Sequence, residues 1–202
     1  MKILLIIATF FIPIVSYAQP TTSIAGGFSS TVISVSTDQE FQNPYNMGLG
    51  AFLKGGYEQN EWLTYEVLLE YSRIKLRNET QLVDVVGGDL GSLKTINQNF
   101  NIQLGALLSK NLNKLSIATG LAIQYAISSK IIYKQKSDDF KTENNSIRPF
   151  NIIIPIQLTY PIGSVSLLAR YERSILNRLK NTDGNIKEFE NDLRIGISYQ
   201  FK

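Results

Sequence analysis

Over residues 115–128 the chain alternates with a period of two. Leu115, Ile117, Thr119, Leu121, Ile123, Tyr125 and Ile127 occupy the odd positions, and Ser116, Ala118, Gly120, Ala122, Gln124, Ala126 and Ser128 the even ones. Successive side chains of an extended strand point to opposite faces, so this period predicts a β-strand with one bulky apolar face and one small or polar face. The final segment repeats the rule, with Leu193, Ile195, Ile197, Tyr199 and Phe201 against Arg194, Gly196, Ser198 and Gln200. Strands with the same alternation are predicted around 63–71, 100–108, 152–160 and 165–171. Two glycine-rich strands precede them, marked by Ile24, Phe28 and Val32 and by Met47, Leu49, Ala51, Leu53 and Tyr57. Eight strands result. Their connections alternate between short ones at 58–61, 110–114 and 161–164 and long polar ones at 33–46, 73–98, 129–148 and 173–190. Short turns on one side and long loops on the other describe an up-and-down antiparallel meander with both termini on the short-turn side.

The polarity of that meander decides its solvent. An eight-stranded barrel has room inside for side chains and little else, and the bulky face would crowd it. No charge falls on the bulky face within the strands, and a single Arg or Lys there would cost about 2–4 kcal/mol at a bilayer midplane. The bulky face is therefore expected to point outward, into lipid. The fold class expected is all-β, an eight-stranded antiparallel up-and-down transmembrane β-barrel. Aromatic residues collect toward both ends of the strands, which suits two membrane interfaces. Tyr57, Trp62, Tyr160, Tyr199 and Phe201 stand by the short turns, and Tyr71, Phe100, Tyr125, Phe150 and Tyr171 toward the loops.

The opposite face carries Lys54, Glu66, Glu70, Arg170, Glu172 and Arg194, three cations and three anions. Buried charge is tolerated when paired. A three-residue hairpin loop over 181–185, with Gly184 in the left-handed position, would set Glu172 opposite Arg194 and Arg178 opposite Glu188. A similar loop over 59–61 would oppose Lys54 and Glu66; Glu70 and Arg170 acquire no partner from this reasoning. The balance favours a structural ionic plug over an ion path, because eight strands leave no aqueous bore of their own.

The first residues modify the picture. Met1-Lys2 is a short positive start, 3–15 is an apolar run, and Ser16-Tyr17-Ala18 precedes Gln19 in a small-x-small pattern. Residues 1–18 read as a cleaved secretory signal peptide and 19–202 as a single barrel domain, since the apolar run is too short for an anchor helix. No cysteine follows that run to carry a lipid anchor. On averages the chain passes for a soluble domain, with 44% hydrophobic and 18% charged residues, a net charge of +3 and a mean hydropathy of -0.03. Alternation hides a membrane surface in such averages. The absence of both histidine and cysteine removes thiolate chemistry, the usual zinc ligand sets and every imidazole-dependent catalytic dyad. No cofactor, metal site or catalytic residue is expected. The glycine-rich stretch Gly87-Gly88-Asp89-Leu90-Gly91 does not have dinucleotide spacing and reads as a surface turn, and Asp84 and Asp89 do not follow a calcium-loop pattern. Lys130, Lys134, Lys136, Lys141 and Arg148, offset by Asp138, Asp139 and Glu143, form a basic loop able to meet anionic lipopolysaccharide or a partner. No nucleic-acid signature is present.

With these features the chain from residue 19 onward resembles the small eight-stranded outer-membrane barrels of Gram-negative bacteria, the OmpA/OmpX-like and PorT-like porin-family proteins. The resemblance is carried by Tyr17-Ala18-Gln19, by Gly26-Gly27 in the first strand and by the run from Leu193 to Phe201. It implies location in the cell outer membrane, with periplasmic termini and extracellular long loops. It also implies that Phe201 serves as the signal read by the barrel-assembly machinery, although Lys202 follows it where many members end on the aromatic. Activity is not implied, because such barrels host many roles. The function expected is a non-enzymatic barrel that anchors and displays its loops, in contact with outer-membrane lipid, lipopolysaccharide and other envelope proteins. An accessory subunit of a secretion or assembly complex is the alternative, and a lipid-modifying enzyme a third.

Overall fold

The computed structural model describes residues 21–36, 46–83, 89–134, 139–143, 147–179 and 187–201. The predicted signal peptide lies outside them. Among the described residues there are nine strands: β1 (Thr21–Ser36), β2 (Asn46–Asn60), β3 (Leu63–Val83), β4 (Asp89–Leu112), β5 (Leu115–Lys134), β6 (Asp139–Glu143), β7 (Phe150–Ile162), β8 (Val165–Ser174) and β9 (Lys187–Phe201). All pairings are antiparallel; they join chain neighbours except that β5 also pairs with β7, and β1 pairs with β9 to close the sheet. β6 and β7 both lie against β5, β6 along Lys130–Lys134 and β7 along residues 116–125, so together they fill one position of an eight-position barrel.

Alternation sorts the side chains as the pleat requires. Phe28, Leu49, Leu121, Ile195 and Ile197 are among the most exposed residues, whereas Arg170, Glu172 and Arg194 are among the most buried. An outer surface this rich in exposed Leu, Ile and aromatic rings is far larger than the apolar patches of water-soluble proteins, and lipid is its natural solvent. Inside, a small apolar cluster of Ala25, Phe52, Leu68 and Leu168 packs between charged groups. Room for the Phe52 ring comes from Gly196, where a Cβ would lie 2.8 Å from Phe52 Cζ. Gly27 stands opposite Gly196 across the β1–β9 seam, and a Cβ there would meet the Ile195 carbonyl.

Three expectations from the sequence need correction. Segments 73–98 and 129–148 are not plain loops: β3 and β4 remain paired from Arg73↔Gln98 out to Val83↔Asp89, and β5 continues to Lys134 before turning into β6. Asp89, Leu90 and Gly91 thus begin β4 instead of forming a surface turn. The registers are also displaced by two residues. Lys54 stands opposite Leu68 with Glu66 opposite Gly56, and Glu172 stands opposite Asp192 with Arg194 opposite Arg170. At the first turn the cause is Asn60, whose side-chain oxygen accepts hydrogen bonds from the Trp62 (3.1 Å) and Leu63 (2.8 Å) backbone N–H groups and draws the bend one residue onward. A register irregularity between Glu58 and Asn60 absorbs the difference. At the β8–β9 end the Arg178 N–H donates to the Glu188 carbonyl at 2.8 Å, the pairing expected from the loop, but two extra residues on the 174–177 side shift the barrel register below it.

The other short connections are two-residue hairpins, closed by Leu112↔Leu115 and Ile162↔Val165. Their first residues, Asn113 and Gly163, adopt positive φ of 54° and 65°, the left-handed region that Asn and Gly enter most readily. A bulge interrupts β5, where Phe100↔Ser128 is followed by Asn101↔Ala126 and leaves Ile127 unpaired. The inserted residue reverses the alternation, so Ser129 points inward and donates to Asn99 Oδ1 at 2.8 Å.

Candidate functional site

The bore contains one continuous ionic network. Glu172 lies at its centre, bound by Arg170 Nε at 2.5 Å and by Arg194 Nη1, and it accepts from Gln103 Nε2 at 2.8 Å. Arg194 also reaches Glu70 at 2.5 Å and Asp192 at 3.2 Å. Arg170 binds Glu66, which in turn meets Lys54 Nζ at 3.3 Å. Lys54 completes the chain by donating to Gln157 Oε1 at 2.8 Å, an oxygen that also accepts from Arg170 Nη1 at 3.3 Å. Four strands contribute charge to this network, β2, β3, β8 and β9, and β4 and β7 supply the amides that complete it.

All six lumen charges named from the sequence are buried and belong to this network. Glu172 with Arg194, and Lys54 with Glu66, are in contact although neither pair is directly opposite; a two-residue offset places them on the diagonal, within reach of long side chains. Glu70 and Arg170, without a partner from the sequence, bind Arg194 and Glu66. The expected balance of three against three is corrected. Among the described residues the buried cations are Lys54, Arg170, Arg178 and Arg194, and the buried anions Glu66, Glu70, Glu172, Glu190 and Asp192. Asp192 and Glu190 went unnamed because the apolar alternation begins at Leu193, yet both share the parity of Arg194, which was the available signal.

Toward the long-loop end the network gives way to amides. Asn99, Asn101, Gln124 and Asn151 line a space of about 20 Å³ with Arg178 and Glu190, enough for about one water. Arg178 approaches Glu190 at 3.8 Å and Glu188 at 3.9 Å. Toward the short turns, beyond Leu107 and Leu168, lies a larger cavity of about 360 Å³. The two spaces have no lining residue in common. Chemically the network links strands and fills the bore, bringing together carboxylates, guanidiniums, the Lys54 ammonium and amides. Among the described residues no cluster of three or more metal-binding side chains occurs, and Asp84 lies outside those residues.

On the outer surface Trp62, Tyr160, Tyr199 and Phe201 are exposed near the short turns, with Tyr57 half-buried, and Tyr71, Phe100, Tyr125, Phe150 and Tyr171 are exposed at the other end. Tyr199 and Phe201 pack edge to face at 5.0 Å. Tyr71 accepts from Gln98 Nε2 at 2.7 Å, and Tyr171 donates to Asn191 Oδ1 at 3.0 Å, so both rings carry a polar anchor at the loop end of the band. Just beyond them, on the same outward faces, stand Arg73 and Lys75 on β3 and Arg173 on β8, all exposed. Lys130 and Arg148 of the basic loop are exposed as well, whereas the side chains of Lys134, Lys136 and Lys141 lie outside the described residues.

The sequence matches no protein-family model and no curated protein. Its structure is similar to solved ones. Ail, the attachment invasion locus protein of Yersinia pestis, superposes with a TM-score of 0.50 at 16% identity, covering 91% of this chain and 100% of that one. Neisserial surface protein A superposes with a TM-score of 0.52 at 13% identity, covering 89% and 97%. The chain therefore has the fold of the small outer-membrane β-barrels.

Proposed function

We propose that this chain is a non-enzymatic outer-membrane barrel that anchors in the bilayer through its aliphatic band and presents a raised β-wall to the outside. The observation that carries the reading is the contrast between bore and wall. The bore is filled by paired charges, while β4 alone runs for 24 residues. At a strand rise of ~3.4 Å and a tilt of ~40°, that is about 60 Å along the barrel axis, against an apolar band of ~25 Å. β8, on the other side, has only 10 residues. The surplus of β3, β4 and β5 is backbone built for contact outside the membrane. In this arrangement the termini face the periplasm and the long connections the exterior, after removal of residues 1–18. Arg73, Lys75 and Arg173, set just past the Tyr71 and Tyr171 rings, suit the phosphates of lipopolysaccharide. Phe201, exposed beside Tyr199 on the last strand, suits recognition by the barrel-assembly machinery.

Outer-membrane fractionation combined with gel mobility before and after boiling tests the reading. A closed barrel in detergent resists unfolding and runs as a compact band until heated. Recovery in the soluble fraction, or a single mobility regardless of heating, would overturn it.

A further inference from the structure

The cavity at the short-turn mouth has no part in anchoring or display, and its lining is that of a site. At about 360 Å³ it falls within the size range of small-molecule pockets. Leu107, Ala118 and Leu168 form an apolar floor, and beside them Lys54 enters from the ionic network. Ser23, Thr64, Ser109 and Ser198 line the space from four different strands, together with Lys114.

Lys54 is the telling residue. Its side chain is 5% exposed, and its ammonium group uses two of three donors, on Gln157 and on Glu66. Glu66 is shared with Arg170, so Lys54 holds the weaker claim on that carboxylate. Glu58, the carboxylate lining the cavity, accepts from Gln200 Nε2 at 2.9 Å. The space thus presents Lys54 at its base and Lys114 at its rim against the single carboxylate of Glu58, which Gln200 already engages, leaving a positive balance among hydroxyl-bearing walls that favours an anion.

We propose that this cavity binds a small hydroxylated carboxylate, of which a sugar acid is the type. Its carboxylate meets Lys54 in a charge-assisted hydrogen bond, its hydroxyls meet the Ser and Thr walls, and its C–H face rests on Leu107 and Leu168. A neutral sugar of the same shape leaves the Lys54 donor unpaired and binds poorly.

The test is a titration of the isotope-labelled barrel in detergent micelles with D-glucuronate and, in parallel, with D-glucose, followed through the backbone amide signals of Ser109, Ser116 and Ser198. Saturable shifts with glucuronate and none with glucose at the same concentration are expected. Ser198→Tyr, which fills the mouth, should abolish the response while keeping the heat-dependent gel shift; Ser166→Gln serves the same purpose if that variant does not fold. Lys114→Gln should weaken binding by about threefold, the loss of a rim charge. No saturable shift, an equal response to glucose, or a response retained in the filled variant would each overturn the proposal.

Discussion

Glu172 holds two guanidiniums, and Arg194 holds three carboxylates. Removing one member of such a set leaves the others charged and buried, so the cost exceeds that of a single lost contact. Glu172→Gln should destabilise the barrel by about 3–5 kcal/mol, read as a lower urea midpoint for loss of the compact gel band. A double reversal, Glu172→Arg with Arg194→Glu, should recover little of that loss. The new carboxylate would face Glu70 and Asp192, so the pair is not an isolated unit. Recovery to near wild type would show that the pair acts alone. Glu188→Gln, by contrast, should change stability by less than about 1 kcal/mol, since Glu188 is partly exposed and lies 3.9 Å from Arg178. These residues were legible in the sequence by parity: every charged side chain of the network sits on the small-residue face of its strand. Parity, however, fixes a register only to within multiples of two. Slips of two keep lumen residues in the lumen, which is why the contacts were readable and the direct opposites were not.

Strand ends obey a different rule from strand middles. Inside the band, lipid on one side and a filled bore on the other impose alternation, and the sequence displays it. Beyond Arg73 and before Gln98 the ladder pairing persists while the sequence shows no strict apolar–polar alternation to announce it. The hairpin extension of β3 and β4 therefore read as a loop. Its independence from the band makes it removable. Leu76 pairs with Thr95, so replacing residues 77–94 by Asn-Gly should close the hairpin at that pair and leave the barrel intact. The shortened protein should retain its heat-dependent gel shift in detergent. Loss of the gel shift would mean that the wall is part of the folding unit.

At the scale of the whole molecule the bore is blocked by side chains drawn from opposite walls, as between Gln103 on β4 and Glu172 on β8. The intact protein should give no steady conductance steps in planar lipid bilayers, and regular steps from homogeneous protein would contradict a filled lumen. The seam between β1 and β9 has a consequence in time. It joins Thr22 to Phe201 over a ladder of fifteen residue pairs, the most distant contacts along the chain. Until β9 has been synthesised, β1 carries a bare edge with nothing to pair it, and contacts so far apart form slowly. The same closure that leaves the finished barrel without edges makes the nascent chain prone to aggregation, so its passage to the membrane is a race between escort and misassociation.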